Sequence, residues 1–474
     1  MPQIQIPVLS GVYADANAEF RTSYPRNLVP VVKDQGISKG YLRPAEGVEQ
    51  FGIGPGIDRG GINWNGTLYR VMGTSLVSVA SDGTVTTLGD VGGTGPVTLD
   101  YSFDRLAITS GGSLFYWDGA TLTRVSDPDL GRVIDHKWIS GYFLTTDGTS
   151  LVVTDLNDPT SVNPLKYGSA ESDPDPILAV DELRNEAYAA GRYTWEVFQN
   201  VGGSLFPFER VAGAQVTKGI VGTHAYCNVG NTFIFMGSGR NEAVAVYRMI
   251  PGDVEKVSTR EIDTILDGYT EAQLAEVVAE CRVEKDQQQI LFHLPDRTLC
   301  YGSISSGKVG EPVWWTLDSG VVEPAAYRMR NAVRVYDKWI GGDVLTGKLG
   351  VLTSSTAEHF GEATGWQFGT LIVYAEGNDA IIHELELVAL AGRVASGADP
   401  VIWTQYSVDG ETWSQERSTR AGRAGQRMQR ICWRTQGTIH NQRMQRFRGT
   451  SDAFLSIARL QASLEALMTR PAYG

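Results

Sequence analysis

Two neighbouring carboxylates are the residues of this sequence that most directly suggest hydrolysis. Asp173 and Asp175 lie in the segment SDPDP. Glycoside hydrolysis uses two carboxyl groups that face each other across a cleft. Pro174 and Pro176 follow the two aspartates and predict a rigid turn instead. We therefore expect no catalytic carboxylate pair in this segment.

Two segments share the Gly-x4-Gly-Lys pattern of phosphate-binding loops: residues 302–309 (GSISSGKV) and 342–349 (GDVLTGKL). In such loops backbone N–H groups cradle the phosphates, and a Ser or Thr after the lysine holds magnesium. Neither Lys308 nor Lys348 is followed by Ser or Thr, and neither segment is expected to open a helix. Both are predicted to be loop turns, so the sequence indicates no nucleotide cofactor.

Cysteines and histidines are spaced too widely to indicate a metal or redox site. The four cysteines include no Cys-x-x-Cys pair, and the six histidines include no His-Glu-x-x-His motif. We predict no catalytic residue, no metal and no cofactor, and we interpret the chain as non-enzymatic. The cysteines are expected to be free and buried.

The segment from Tyr406 to Trp413, YSVDGETW, has the residue types of an Asp box. Asp boxes run Ser-x-Asp-x-Gly-x-Thr-Trp and recur in sialidase-like propellers, whereas this segment is one residue short between Asp and Gly. It also occurs once. We therefore predict a structural turn in which Asp409 and Gly410 form the bend, the Asp409 side chain bonds its own backbone and Trp413 packs beneath.

The segment from residue 417 to residue 448 is rich in arginine and contains no Asp or Glu, although the chain carries a net charge of −13. Arginine presents a planar fork of donors that suits carboxylate or phosphate. We predict a contact surface for an acidic neighbouring subunit or for DNA, with solvated strand faces as the alternative. The candidate interface residues are Arg417, Arg420, Arg423, Arg427, Arg430, Arg434, Arg443, Arg446 and Arg448.

The elements that must position these residues are short strands. Alternating segments such as SLVSVASDGTVTTLG follow one another from Ile62 onward, with Asp82-Gly83 and Asp118-Gly119 as hairpin turns. The hairpins recur at a loose period of about 35 to 50 residues, which is typical of four-stranded propeller blades. About seven blades are predicted, and stacked sandwiches are the alternative. The blades should begin near Ile62, Val97, Ile134, Ile177, Gly219, Ala279 and Ala325.

The sequence predicts an all-β chain with three parts. Residues 1–61 carry many prolines and little periodicity, and they are predicted to form an extended N-terminal arm; residues 62–355 are predicted to form the β-propeller. A small helical insertion is expected near residues 258–280, where a capping-box pattern occurs. Longer alternating strands predict a C-terminal β-sandwich over residues 356–474. The segment FLSIARLQASLEAL is interpreted as a strand, although a helical stripe also fits it.

The chain begins without the pattern of a signal peptide and contains no apolar run long enough to cross a membrane. We expect a protein made in the cytosol with no membrane span. Its acidic balance disfavours a surface that binds nucleic acid over its whole extent, because phosphate binding needs an excess of Lys and Arg.

Several segments, in order along almost the whole chain, resemble the packaged-DNA stabilisation proteins of short-tailed phages. The opening carries IQIPVLSGVYADANAEF, YPRNLVPV and GYLRPAEGVEQFG, and YSVDGETW is followed by WRTQG and RMQRFRG. The other matching segments are TWEVFQNVG from Thr194, VTKGIVGTHA from Val216 and QQILFHLP from Gln288.

This resemblance implies a non-enzymatic tail hub of the virion, assembled in the host cytoplasm. The hub would be a ring, expected to hold six copies, below the portal and its adaptor. It would close the head, carry the tail needle and tailspikes or fibres, and let DNA pass through its lumen without sequence-specific binding. A propeller scaffold unrelated to phage, or a carbohydrate-binding or carbohydrate-cleaving tail protein, are the alternatives.

Overall fold

The chain folds entirely around β-sheets, as the sequence predicts. A computed structural model describes residues 3–6, 8–9, 11–14, 20–33, 40–156, 158–170, 173–284, 287–373, 379–440 and 442–467. Six strands precede the first complete blade: β1 Gln3–Ile6, β2 Gly11–Ala14, β3 Phe20–Ser23, β4 Leu28–Val32, β5 Gly40–Pro44 and β6 Gly47–Ile53.

Seven antiparallel sheets follow among the described residues, one for each propeller blade. Blade 1 comprises β7 Asp58–Trp64, β8 Thr67–Met72, β9 Ser75–Val79 and β10 Val85–Asp90. Blade 2 comprises β11 Thr98–Tyr101, β12 Leu106–Ser110, β13 Ser113–Trp117 and β14 Leu122–Arg124. Blade 3 comprises β15 Asp135–Ile139, β16 Tyr142–Thr146, β17 Ser150–Val153 and β18 Tyr167–Ser169. Blades 4 and 5 comprise β19 Ile177–Leu183, β20 Glu186–Gly191, β21 Trp195–Asn200, β22 Phe208–Arg210; and β23 Gly219–Ile220, β24 Tyr226–Asn228, β25 Phe233–Ser238, β26 Ala245–Ile250, β27 Asp253–Lys256.

Blades 6 and 7 complete the circle. They comprise β28 Val278–Glu284, β29 Gln287–His293, β30 Thr298–Gly302, β31 Trp314–Leu317; and β32 Met329–Val335, β33 Lys338–Asp343, β34 Lys348–Thr353 with β6 as fourth strand. The first strand of blade 7 contacts the first strand of blade 1, which closes the ring of blades. The predicted blade count and the propeller are therefore confirmed.

Asp-Gly turns explain why the chain reverses where it does. Between β13 and β14 the Asp118 carboxylate accepts the backbone N–H groups of Ala120 and Thr121 at 2.8 and 2.7 Å, and Gly119 has a φ of 97°. This positive φ suits glycine, which has no Cβ to clash. Asp147 holds the turn between β16 and β17 in the same way. Local sequence thus sets the hairpins.

Helices are few and short. The predicted insertion is present as α1 Arg260–Leu266 and α2 Glu271–Ala275, and Thr270 and Gln273 form the expected capping box. The expectation that residues 302–309 open no helix is wrong, because α3 Ser303–Val309 joins β30 to β31. Lys308 lies in the last turn of α3 rather than at a phosphate-binding N-terminus. A 3-10 turn, Pro128–Leu130, precedes blade 3.

The C-terminal domain is a sandwich of two antiparallel sheets. Its strands are β35 Gly365–Val373, β36 Asp379–Ala389, β37 Val401–Ser407, β38 Arg417–Arg420, β39 Ile431–His440, β40 Gln442–Thr450 and β41 Ile457–Ala466. One sheet has the order β39-β36-β41-β5-β4, with β1 also paired to β41, and the other has the order β35-β40-β37-β38. The strand interpretation of residues 457–466 is confirmed, since Leu460, Ala462 and Leu464 alternate into the core.

The described residues of the predicted arm, residues 1–61, are largely incorporated into the two domains; residues 7, 10, 15–19 and 34–39 lie outside the described part of the chain. The structure pairs β1, β4 and β5 with the sandwich, whereas β6 and β7 belong to propeller blades. The physical reason is burial, because Leu28, Leu42 and Val48 are almost wholly enclosed and would otherwise expose apolar surface. Residues 1–2 and 468–474 of the predicted arm and sandwich lie outside the described part of the chain.

The segment between β3 and β4 joins the two domains. Arg26 donates to both carboxylate oxygens of Asp318 at 2.5 and 2.7 Å, and its backbone N–H donates to Gln367 O at 2.8 Å. Asn27 bridges the carbonyls of Asp318 and Gly365 at 3.0 and 2.7 Å. One short segment therefore contacts blade 6 and the sandwich at once.

Candidate interaction surface

Residues 406–413 form a compact turn between β37 and β38. The Asp409 carboxylate accepts hydrogen bonds from the backbone N–H groups of Glu411 and Thr412 at 3.0 and 2.8 Å. Hydrogen bonds to the carboxylate, above all the one from the Thr412 backbone N–H, lower the pKa of Asp409 to about 2. Gly410 follows with a φ of 82°. The carboxylate of the Asp-box-like segment is thus engaged with its own turn.

Trp413 ends this turn and lies against an arginine of the neighbouring strand. The guanidinium carbon of Arg446 is 4.1 Å from the centroid of the Trp413 ring. Arg448 lies over Trp403 in the same manner, at 4.6 Å, and the two residues are cross-strand partners. Arginine above an indole face is a favourable cation–π arrangement. Two of the candidate arginines are therefore fixed by aromatic side chains of the sandwich.

Four of the nine candidate arginines are exposed and pair with carboxylates that the chain supplies from other elements. Arg430 donates to Glu384 at 2.6 Å and to Glu386 at 2.8 Å. These hydrogen bonds raise the pKa of Arg430, and the one to Glu386 has the larger effect. Arg434 also contacts Glu384, at 3.3 Å. Arg420 and Arg423 converge on Asp399, at 3.5 and 2.8 Å. The segment without acidic residues thus receives its counter-charges from β36 and the following loop.

Arg417 and Arg443 stabilise an irregular stretch of the edge strand β39. Thr435 has a φ of 53°, and the register between β36 and β39 shifts at this point, which marks a β-bulge. Arg417 donates to the carbonyls of Thr435 and Arg434 at 2.6 and 2.8 Å, and Arg443 donates to the carbonyl of Gln436 at 2.6 Å. These two arginines of the predicted contact surface therefore satisfy backbone acceptors inside the domain.

Arg443 is the most enclosed of the set, with 1% of its surface exposed. Its Nε and Nη2 donate to Gln445 Oε1 at 3.0 and 2.8 Å, and its guanidinium lies 4.1 Å from the centroid of the Tyr406 ring. Burial lowers the pKa of Arg443 to about 10. The acceptors named here are amide and carbonyl oxygens, so this charge is stabilised by dipoles and a ring face.

The nine arginines thus do not form one uniform patch. Arg427 is exposed in the loop before β39, Arg446 and Arg448 lie half-buried on tryptophans, and Arg448 also pairs with Glu416 at 2.5 and 2.6 Å. Sequence spacing predicted their clustering in one domain but not their partners, which come from strands that are distant in sequence. The role of the set as a contact surface stays a prediction.

The propeller contains charged groups that sequence reasoning missed. Arg70 and Asp58 form a buried ion pair with N–O distances of 2.7 Å, and Asn331 donates to the same carboxylate at 2.8 Å. On the first strands of neighbouring blades, Lys137 contacts Asp181 at 3.1 Å. The available signal was a charged residue inside an apolar alternating strand, as in TLYRVM at β8.

The two carboxylates that first suggested hydrolysis, Asp173 and Asp175, are engaged by neighbouring groups of the chain. Asp175 accepts the backbone N–H groups of Tyr193 and Thr194 at 2.6 and 2.9 Å, while Asp173 pairs with Arg240. Within the described ranges no group of three or more His, Cys, Asp or Glu residues is placed to hold a metal ion. No helix of the described residues has the length and apolar character needed to cross a membrane.

The chain combines a closed seven-bladed propeller with an arginine-rich β-sandwich, and this places it among proteins that join these two kinds of domain. The chain belongs to the bacteriophage P22 Gp10 family. The β-propeller profile of that family matches residues 4–357, and its β-sandwich profile matches residues 365–465. The family resemblance inferred from the sequence is thereby confirmed.

The tail hub protein gp10 of Salmonella phage P22 is a relative over nearly the full length. It is 26% identical over 463 residues, which cover 93% of this chain and 94% of that protein. This similarity supports a structural role in a phage tail.

Two solved structures resemble the chain more distantly. The WD40 domain of Neurospora crassa Pan2 has 12% identity and a TM-score of 0.42, covering 64% of this chain and 94% of its own. The N-terminal domain of Nup159 has 9% identity and a TM-score of 0.39, covering 70% and 98%.

Proposed function

We propose that this protein is the tail hub of a short-tailed phage virion, where copies of the chain form a ring below the portal and its adaptor. The ring closes the head, retains the packaged DNA and carries the tail needle and tailspikes or fibres. The observation that carries this proposal is the match to the P22 tail hub across both domains, residues 4–357 and 365–465.

The fold suits a rigid connector. A closed propeller has short, protected strand edges, and the sandwich adds a second surface, so one chain can contact several neighbours at once. Arg26 and Asn27 tie the two domains together, which keeps these surfaces in a fixed relation. A ring of identical copies uses heterologous contacts, in which one face complements a different face of the next copy.

The exposed arginines of the sandwich are proposed as one side of such a contact. Arg427 is exposed, and Arg420 and Arg434 keep 70% and 76% of their side-chain surface exposed despite their carboxylate partners. The chain as a whole is acidic, so an acidic face of a neighbouring copy complements this patch. In this proposal the arginines bind a neighbouring copy of the chain, so they are not required to bind the phosphates of DNA that passes through the lumen.

Cryo-electron microscopy of purified virions tests the proposal. We expect a ring of this chain below the adaptor, with the portal above it and the needle and fibres attached. Absence of the chain from particles that still hold their DNA contradicts the role in DNA retention.

Charge-reversal variants test the contact surface separately. Arg427→Glu is expected to reduce ring formation, measured by native mass spectrometry of the purified protein mixed with portal and adaptor. Arg124→Glu, an exposed arginine on the last strand of blade 2, makes the same charge change and serves as the matched control. Equal loss in both variants would contradict a specific role of the sandwich face.

A further inference from the structure

A small cleft lies where the N-terminal segment meets strands β35 and β40 of the sandwich. Its volume is about 260 Å³. Four separate parts of the chain line it: Ser23 and Tyr24 before β4, Gly369 on β35, Trp413 of the Asp-box-like turn, and Arg446 on β40. The Asp-box-like turn and one of the candidate arginines therefore converge on the same cavity.

Two enclosed donors line this cleft without a hydrogen-bond partner among the described residues. These are the Nε of Arg446 and the hydroxyl of Ser23. Arg446 Nη2 donates to the amide oxygen of Gln405 at 2.5 Å. The nearby carboxylate of Glu416 is bound bidentately by Arg448 instead. Arg446 is thus a partly buried cation held by an amide, and burial lowers its pKa.

The space beside Arg446 depends on a glycine. Gly369 is the cross-strand partner of Arg446, and a Cβ at position 369 would lie 3.0 Å from the Ser23 hydroxyl oxygen. The missing side chain keeps the volume next to the Ser23 hydroxyl open. On the other side of the guanidinium, the stacked ring of Trp413 fixes its orientation.

We propose that this cleft binds a carboxylate carried by an acidic segment of a partner protein. One carboxylate oxygen accepts from Arg446 Nε–H and the other from the Ser23 hydroxyl. Such charge-assisted bonds to arginine are short and directional. Tyr24 and Trp413 give the cleft aromatic walls for the aliphatic part of an aspartate or glutamate side chain. The inference goes beyond the proposed hub and does not depend on ring formation.

Fluorescence anisotropy of a fluorescein-labelled hexaglutamate peptide, titrated with the full chain, tests this inference. We expect saturable binding to the unaltered protein and at least tenfold weaker binding to Arg446→Gln. The Gly369→Ala variant keeps every charge but narrows the cleft, and it should weaken binding as well. Arg124→Gln removes the same charge from an exposed position on blade 2, outside both the cleft and the arginine-rich segment, so its affinity should stay within twofold.

Three results would overturn the inference. They are an absence of binding to the unaltered protein, equal binding of a labelled hexaglutamine peptide, and an equal loss of affinity in Arg124→Gln. If Arg446→Gln fails to fold, the Gly369→Ala variant decides, because unchanged affinity in a folded Gly369→Ala protein excludes binding in this cleft. Circular dichroism spectra of all variants establish which are folded.

Discussion

Both domains bury arginine, and its charge is stabilised in two different ways. In the propeller, Arg70 meets the Asp58 carboxylate, and Arg328 meets Asp343 at 2.6 Å. In the sandwich, Arg443 is as enclosed, yet it donates to carbonyl and amide oxygens and lies on a tyrosine ring. Arg70 and Arg328 thus meet opposite charges, whereas Arg443 is surrounded by dipoles. Arg59 of the propeller resembles Arg443, because it donates to backbone carbonyls and to the Ser110 hydroxyl.

The kind of acceptor determines how much stability is lost when a buried arginine is replaced. A buried carboxylate that loses its guanidinium keeps a full charge without compensation, and this is costly in a low-dielectric interior. Dipolar acceptors that lose an arginine are left unpaired but carry no net charge, so the loss is smaller. The same substitution is therefore expected to cost more at Arg70 than at Arg443.

The largest expected effect is that of Arg70→Met, because it leaves Asp58 buried and charged. We expect a loss of about 3–5 kcal/mol in the free energy of unfolding of the propeller. Urea unfolding followed by circular dichroism measures it. Arg105→Met removes a half-buried arginine whose partner, Asp104, is exposed, and it should cost no more than about 1 kcal/mol. Similar losses in the two variants would contradict the distinction.

The second effect concerns the joint between the domains. Arg26→Ala removes the bidentate contact with Asp318, whose side chain is almost fully buried, and should cost about 2–3 kcal/mol. Because Arg26 contacts both domains, we expect calorimetry to resolve two unfolding transitions in the variant where the unaltered protein gives one. Two transitions in both proteins would mean that the domains unfold independently.

Arg443→Met makes the matched change in the sandwich. We expect a loss of about 1–2 kcal/mol, because Gln436 and Gln445 lose a donor while no carboxylate is stranded. The same urea titration as for Arg70→Met gives the comparison directly. A loss as large as that of Arg70→Met would show that dipoles and a ring face bind this cation as strongly as a carboxylate does.

The smallest effect is a difference in acid sensitivity. Burial lowers the pKa of His136 to about 3 and that of His224 to about 4, both in the propeller, while the sandwich histidines His383 and His440 are partly or fully exposed. Because these folded-state values lie below the ordinary value of about 6.5, their contribution to stability is present above that pH and is lost as pH falls towards 4.

Asp135 acts with the opposite sign. Burial raises its pKa to about 7, so its protonation favours the folded state as pH falls. His359 at the joint follows the other histidines, with a pKa lowered to about 4 by burial. The stability lost through the histidines exceeds the stability gained through Asp135. We therefore expect the free energy of unfolding of the propeller to fall by about 1 kcal/mol between pH 6 and pH 5. Urea unfolding at both pH values measures the loss, and His136→Gln should reduce it.

The propeller was predictable because its signals are local. Period-two alternation and Asp-Gly turns such as Asp118-Gly119 lie within one hairpin, so each blade could be located without knowledge of its neighbours. The Asp409 turn was predictable for the same reason. Blade starts were placed close to the observed strands for most of the chain, with the least agreement at the first and last blades.

The closing strand and the arginine partners were not predictable from local pattern. Residues 47–53 pair with residues 348–353, and the register is set only once the whole ring of blades exists. Arg430 meets Glu384 and Glu386 because β39 lies beside β36, a neighbour relation that composition does not reveal. The sequence therefore indicated which residues are charged but not which charges meet.

The return of the first strands to the last ones has a consequence for synthesis on the ribosome. β6 completes blade 7, and β1 pairs with β41, so each domain joins the start of the chain to a segment translated much later. Until that segment leaves the ribosomal exit tunnel, the backbone groups of β1 and β6 that it pairs with stay without their partners. Unpaired strands of this kind are prone to aggregation. The propeller is therefore completed only after β34 has been translated and the sandwich only after β41, so a chain that terminates before β34 yields neither domain.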